Sequence, residues 1–179
     1  GEGLGSPENV TIEEFDYAQY PAVDMLNIWD EPGSAHFGEV ATRIEKQYAF
    51  YEKEGKTAPT MYVNLDPAYH ASHQTNAVEE GMRPYAQKFV NEVLTKVKGR
   101  KIISTDIYPL MSSPDGSHFS ILATWLVNME TLKEVAVEAN AEFMMFIQNY
   151  SESTRREIMS KEDLSFQVYT DMAFGINGF

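Results

Sequence analysis

From residue 22 onward the chain alternates between short apolar runs and stretches where apolar residues return every three or four positions. The runs are AVDMLNIW (22–29), TMYVNL (60–65), KIISTDIY (101–108) and EFMMFIQN (142–149). Their length and their content of β-branched and aromatic residues predict buried strands. Between the first two, Phe37, Val40, Ala41, Ile44, Tyr48 and Tyr51 predict a helix over 34–54, and Gly55 stops it. Phe89, Val90, Val93, Leu94 and Val97 predict a second helix over 83–98, stopped by Gly99. A third, over 118–139, carries Phe119, Leu122, Trp125, Leu126, Met129, Leu132, Val135 and Ala136, a stripe that reads as core. After Ser160, LSFQVYTDMAF predicts one more helix, and GINGF starts a last strand. A helix between each pair of strands is the βαβ pattern of a parallel sheet, so the fold class is α/β.

Polar residues collect at the ends of these strands. Side chains of one parity share a face of a strand. Asn64 and Asp66 share one parity, Ser104, Asp106 and Tyr108 another such set, and Gln148 follows Met144 and Phe146 in the fourth strand. Glu31, in parity with Asn27 and Trp29, adds an acid to the tip of the first, and Pro32 turns the chain into the helix. Neither a GxGxxG turn nor a P-loop follows any strand, so the nucleotide-binding open sheet is not indicated. Polar groups converging at the carboxyl ends of successive parallel strands suit a (β/α)8 barrel, whose sites lie on that rim. The barrel-type domain is expected over 20–179, with the Gly-, Pro- and acid-rich residues 1–19 as a linker.

WDEP at 29–32, closing an apolar strand, resembles the strand-four signature of the clan A glycoside hydrolases. DLSFQVYTDMAFGINGF, 163–179, is similar to the strand-eight approach of the family 42 β-galactosidase-like enzymes in that clan. The resemblance implies strands four to eight of a TIM-type barrel, a partial barrel lacking its first three βα units, and hence a piece of a longer protein. It implies a carbohydrate substrate, Glu31 as general acid/base, and a periplasmic or secreted setting. The clan's glutamate nucleophile would fall where Gln148 stands, which leaves Asp106, with Asp66 and Glu152 behind it, to supply the second carboxyl. Carboxyls about 5–5.5 Å apart would retain anomeric configuration, and about 6.5–9.5 Å would invert it. Trp29, Asp30, Asn64, Asp66, Tyr108 and Gln148 are then the substrate-binding candidates. The alternative is a barrel that binds carbohydrate without cleaving it.

Composition narrows the partners. A net charge of −13 gives phosphate backbones little to hold, so no nucleic acid is expected. No apolar run approaches the length of a membrane span. With no cysteine, thiolate metal sites and disulfides are excluded. His70 and His73 lack an evident third ligand, so no metal and no cofactor are expected. Asp163 follows Ser160 by three residues and reads as a helix cap rather than a site acid. An incomplete barrel would expose sheet edges, which invite a second copy or the missing half of the barrel.

Overall fold

A computed structural model describes residues 20, 22–68, 81–112, 119–149 and 160–179. His70, His73, Glu152 and the PDGS turn lie outside these residues, as does the segment 1–19. The chain runs β1 (Met25–Asp30), α1 (Phe37–Lys53), β2 (Thr60–Leu65), α2 (Met82–Glu92), β3 (Ile102–Thr105), β4 (Leu110–Ser112), β5 (Phe119–Ile121), α3 (Ala123–Glu138), β6 (Glu142–Met145) and α4 (Lys161–Ala173). Single 3-10 turns precede α1 and follow α2.

The principal sheet has the order β1-β2-β3-β6, and its neighbouring strands pair parallel. Each strand thus lies beside its predecessor in this sheet, with no reversal of order. The expected last strand is reduced to a single parallel bridge between Met144 and Gly178. The fold is α/β with a four-stranded parallel sheet; a closed barrel is not formed by the described strands. The expected helix over 118–139 begins only at Ala123, because Phe119–Ile121 pairs antiparallel with Leu110–Ser112 in a small second sheet.

Parity separates the two faces of the sheet. Leu26, Ile28, Met61, Val63, Leu65, Ile103, Phe143 and Met145 pack in one core cluster with Phe37, Val40 and Ile44 of α1. Tyr85 and Phe89 of α2 and Trp125, Met129 and Leu132 of α3 belong to that same cluster. The helices therefore cover one face. In the other parity Asn64 registers with Ser104, and Ser104 with Met144, so that face carries a polar row. Burial of the apolar set drives this arrangement, at about 25 cal/mol per Å² removed from water.

An irregularity in β1 redirects its tip. Asn27 registers with Tyr62, but Asp30 registers with Asn64, so three steps along β1 match two along β2. The extra residue is a β-bulge, which reverses the alternation beyond it. Asp30 consequently joins the polar row of Asn64, and Trp29 turns toward the helices.

Candidate active site

The tip of β1 is bent into a conformation that side chains rarely adopt. Glu31 has φ of 51°, in the left-handed region. Its neighbours hold it there. The Glu31 N–H donates to the Asn64 carbonyl at 2.9 Å. The Tyr85 hydroxyl donates to the Pro32 carbonyl at 2.7 Å and accepts the Asp66 N–H at 3.3 Å, linking the tips of β1 and β2 from beneath.

Above this linkage runs a hydrogen-bonded row across three strands. Ser104 Oγ donates to Asn64 Oδ1 at 3.2 Å, and Asn64 Nδ2 donates to Asp30 Oδ1 at 3.0 Å. Asp106 continues β3 beyond its last paired residue and lies close enough to Asn64 and Glu31 to feel both.

The electrostatics follow from that crowding. Glu31 is exposed as a residue, yet its carboxyl is partly screened from water and lies within reach of the charge of Asp106. Loss of water around it, then the charge and hydrogen bond of Asp106, then the charges of Asp66 and Asp30, push its pKa from 4.5 up to about 8. Asp106 is pushed up as well, chiefly by burial, while its hydrogen bonds with Glu31 and Asn64 pull it back. Two neighbouring carboxyls resist ionising together, so each favours its protonated form more than an isolated acid would. A neutral carboxylic acid beside an anionic one can give a proton to a ligand and take it back.

The structure sorts the sequence candidates. Glu31, Asp106, Asp30, Asn64 and Asp66 come together. Tyr108 is half-buried two residues past Asp106. Trp29 stands apart, its ring 4.2 Å from the Arg43 guanidinium carbon and 5.6 Å from the His36 ring. The bulge in β1 is the reason. Gln148 is fully buried, and its amide is committed to the backbone of Leu110, accepting the N–H at 3.0 Å and donating to the carbonyl at 3.3 Å. Ser160 caps α4 by accepting the Asp163 N–H, which places Asp163 as expected.

Tyr85 and Asn128 were not singled out by the sequence. Asn128 of α3 holds the loop after β2, accepting the Ala68 N–H and donating to its carbonyl, each at 3.0 Å. A signal existed: a phenol and an amide on otherwise apolar helix faces each require a buried partner. Among the described residues no three His, Cys, Asp or Glu side chains are grouped to hold a metal ion. No described helix is long and apolar enough to cross a membrane. A cleft of about 580 Å³ opens elsewhere, beside Tyr48, Lys56, Thr60, Lys98 and Arg100, at the start of β2. None of the strand-tip carboxylates lines it, so the chemistry of the site rests on the carboxyl cluster and not on that cleft.

Comparison with known proteins points away from the glycosidases. No protein-family model matches the chain. It is similar to the isoleucine–tRNA ligases of two strains of Aliivibrio fischeri, MJ11 and ATCC 700601 / ES114. Each is 28% identical over 132 residues, covering 69% of this chain and 14% of the ligase. No solved structure matches. The glycoside hydrolase resemblance, with its barrel strands four to eight, its carbohydrate substrate and its carbohydrate-binding alternative, is therefore corrected.

Proposed function

We propose that this chain carries a general acid–base site in which Glu31 is the proton donor and Asp106 the carboxylate that shares its proton. One observation carries the reading: Glu31, in its left-handed turn, and Asp106 crowd together with Asp30 and Asp66 at the carboxyl ends of parallel strands, where α/β proteins receive their ligands. The ligand is a small polar molecule. Asp30, Glu31, Asp66 and Asp106 crowd one strand-tip cluster, and the negative field there favours a molecule that brings hydroxyl or ammonium donors. With a net charge of −13, we assign neither nucleic acid nor a membrane surface as a partner. The strands follow one another in chain order with helices on one face, which supports reading the sheet as an arc of a larger barrel.

The test is a carboxyl-carbon NMR titration of Glu31. A midpoint near 8 is expected, falling by about one pH unit or more in Asp106→Asn. A midpoint near 4.5 in the native chain sinks the reading.

The likeness to isoleucine–tRNA ligases favours a second reading, in which the carboxyl cluster seats the ammonium group of isoleucine. The chain spans 14% of the length of those ligases, so this reading concerns a piece of such a protein. Addition of isoleucine would then ionise Glu31 and lower its midpoint. An unmoved resonance at saturating isoleucine removes that reading and leaves the first intact.

A further inference from the structure

The left-handed turn at Glu31 needs something to hold it. A non-glycine residue in that region is strained by roughly 1–2 kcal/mol relative to ordinary backbone, and it persists only where the surroundings over-determine it. Two contacts on the backbone about Glu31 are visible. One is the Glu31 N–H bond to the Asn64 carbonyl, which belongs to the pairing of β1 with β2. The other is the Tyr85 hydroxyl, which reaches the carbonyl of Pro32, the residue after Glu31, and at the same time accepts the N–H of Asp66.

Tyr85 is well placed to act as a fixed post. Its side chain is wholly buried, its ring lies 5.3 Å from that of Phe37, and α2 carries it in the centre of the core cluster. Phe37 itself packs on Phe89, one turn beyond Tyr85. The aromatic stack therefore fixes the ring, and the ring fixes the oxygen. From that oxygen two hydrogen bonds fan out, one to each of the strand tips that bear Glu31 and Asp66.

We propose that Tyr85 is a positioning residue for Glu31: its hydroxyl clamps the Pro32 carbonyl to the Asp66 amide and so holds the left-handed turn that aims the Glu31 carboxyl at Asp106. The proposal rests on the acid–base reading of that pair. Tyr85 works through two backbone groups, so its removal alters where Glu31 points and not what Glu31 is. Loss of the clamp lets Glu31 leave the left-handed region, and the carboxyl then swings from Asp106 toward water.

The experiment is the Glu31 titration in the native chain and in Tyr85→Phe, which keeps the ring and deletes the oxygen. The expected result is a fall in the Glu31 midpoint by about one pH unit or more, because contact with Asp106 is lost. A folded Tyr85→Phe chain with the native midpoint overturns the role of Tyr85 while leaving the acid–base pair standing. A native midpoint in the ordinary glutamate range instead overturns the pair, and the role of Tyr85 with it. Should Tyr85→Phe not fold, the native chain still decides. The Tyr85 Cζ resonance reports the hydrogen bond to Pro32, and it should shift with the Glu31 midpoint. A resonance flat through that range overturns the proposal. As a control, Tyr48→Phe removes the hydroxyl that bonds the backbone of Lys98, ahead of β3 at the other end of the sheet, and should leave the Glu31 midpoint in place.

Discussion

The tips of β1 to β3 and the region after β6 lie at the same end of one sheet, yet they satisfy buried polar groups in opposite ways. At the first, four carboxyls crowd together, those of Glu31 and Asp106 are pushed toward their protonated forms, and the backbone at Glu31 is left-handed. At the second, two neutral amides close every bond. Gln167 accepts the Gln148 N–H at 3.0 Å and donates to its carbonyl at 3.1 Å, while the Gln148 side chain does the same for Leu110. An amide presents one donor group and one acceptor whatever the pH, whereas a carboxyl pair changes its hydrogen bonding when it gains or loses a proton. One tip is a lock, and the other is a titrating element. Gln148, a strand-tip residue that invites a functional reading, belongs to the lock.

The largest effect should come from opening the lock. Gln167→Leu leaves the buried N–H and carbonyl of Gln148 without partners, at roughly 1–3 kcal/mol for each group. Urea denaturation should show a stability loss of about 3 kcal/mol with an unchanged slope. A loss below about 1 kcal/mol would mean that water or a neighbouring group replaces the amide, and the contrast between the two tips would weaken.

Next in size is a carboxyl that the amide region failed to neutralise. Asp171 lies one turn beyond Gln167 on α4, 2% exposed, with Oδ1 buried and no hydrogen-bond partner among the described residues. Burial alone pushes its pKa from 3.8 up to about 7. The folded chain thus holds a proton that the unfolded chain releases, so stability falls as pH rises from about 4 to about 7 and stays low above that. Asp171→Asn should remove this dependence and stabilise the chain by about 1–2 kcal/mol at pH 8. Chemical denaturation at pH 5 and pH 8 checks it. A variant that keeps the native slope between those values would show that the titrating group lies elsewhere.

The same sign governs Glu31, with a smaller stability effect because the residue is exposed and solvent screens it. Raised from 4.5 to about 8, Glu31 makes the folded state lose stability as pH climbs through that interval. Glu31→Gln should flatten that part of the curve by no more than about 1 kcal/mol while removing the proton that the pair exchanges. Asp106→Asn should leave the Glu31 midpoint above 4.5, since burial is the first cause of its rise, but below that of the native chain. A Glu31 midpoint unchanged in Asp106→Asn would separate the two residues and end the pairing.

Much of the frame was legible in the residues. TMYVNL is strand at the expected bounds, and the stripe of Phe37, Val40, Ala41 and Ile44 is buried as a helix face. Parity brought Asn64, Ser104 and Asp106 to one face, because alternation is a local property of extended chain. Three things were not legible. A bulge inserts one residue by backbone geometry alone, and no side chain in LNIWD announces it, so the parity that joined Trp29 to the site fails there. Pairing of Leu110–Ser112 with Phe119–Ile121 competes with helix for residues of helical spacing, and tertiary contact decides. Tyr85 and Gln167 act on backbone groups far along the chain, and spacing says nothing of such partners. Fold periodicity was readable, but the family resemblance carried by WDEP was not sustained, since four residues at a strand tip specify a turn with acids in it and little about chemistry.

The smallest expected effect tests that displaced indole. Trp29 and Glu31 are two residues apart, and an unbroken strand would aim both at the same face. The bulge instead gives Trp29 to α1, where Arg43 covers its ring at 4.2 Å and also pairs with Glu39 at 2.7 Å. Arg43→Met keeps the aliphatic stem and deletes the charge over the ring. It should cost about 0.5–1 kcal/mol in stability, the range of a partly exposed cation–π contact. It should also leave the Glu31 titration untouched, because Arg43 lies over Trp29 on the helix side of β1. If the midpoint of Glu31 moves in Arg43→Met, the bulge does not insulate the two faces of the strand. The indole would then have to be counted within the site, and the tips of β1 to β3 could no longer be treated as a carboxyl cluster alone.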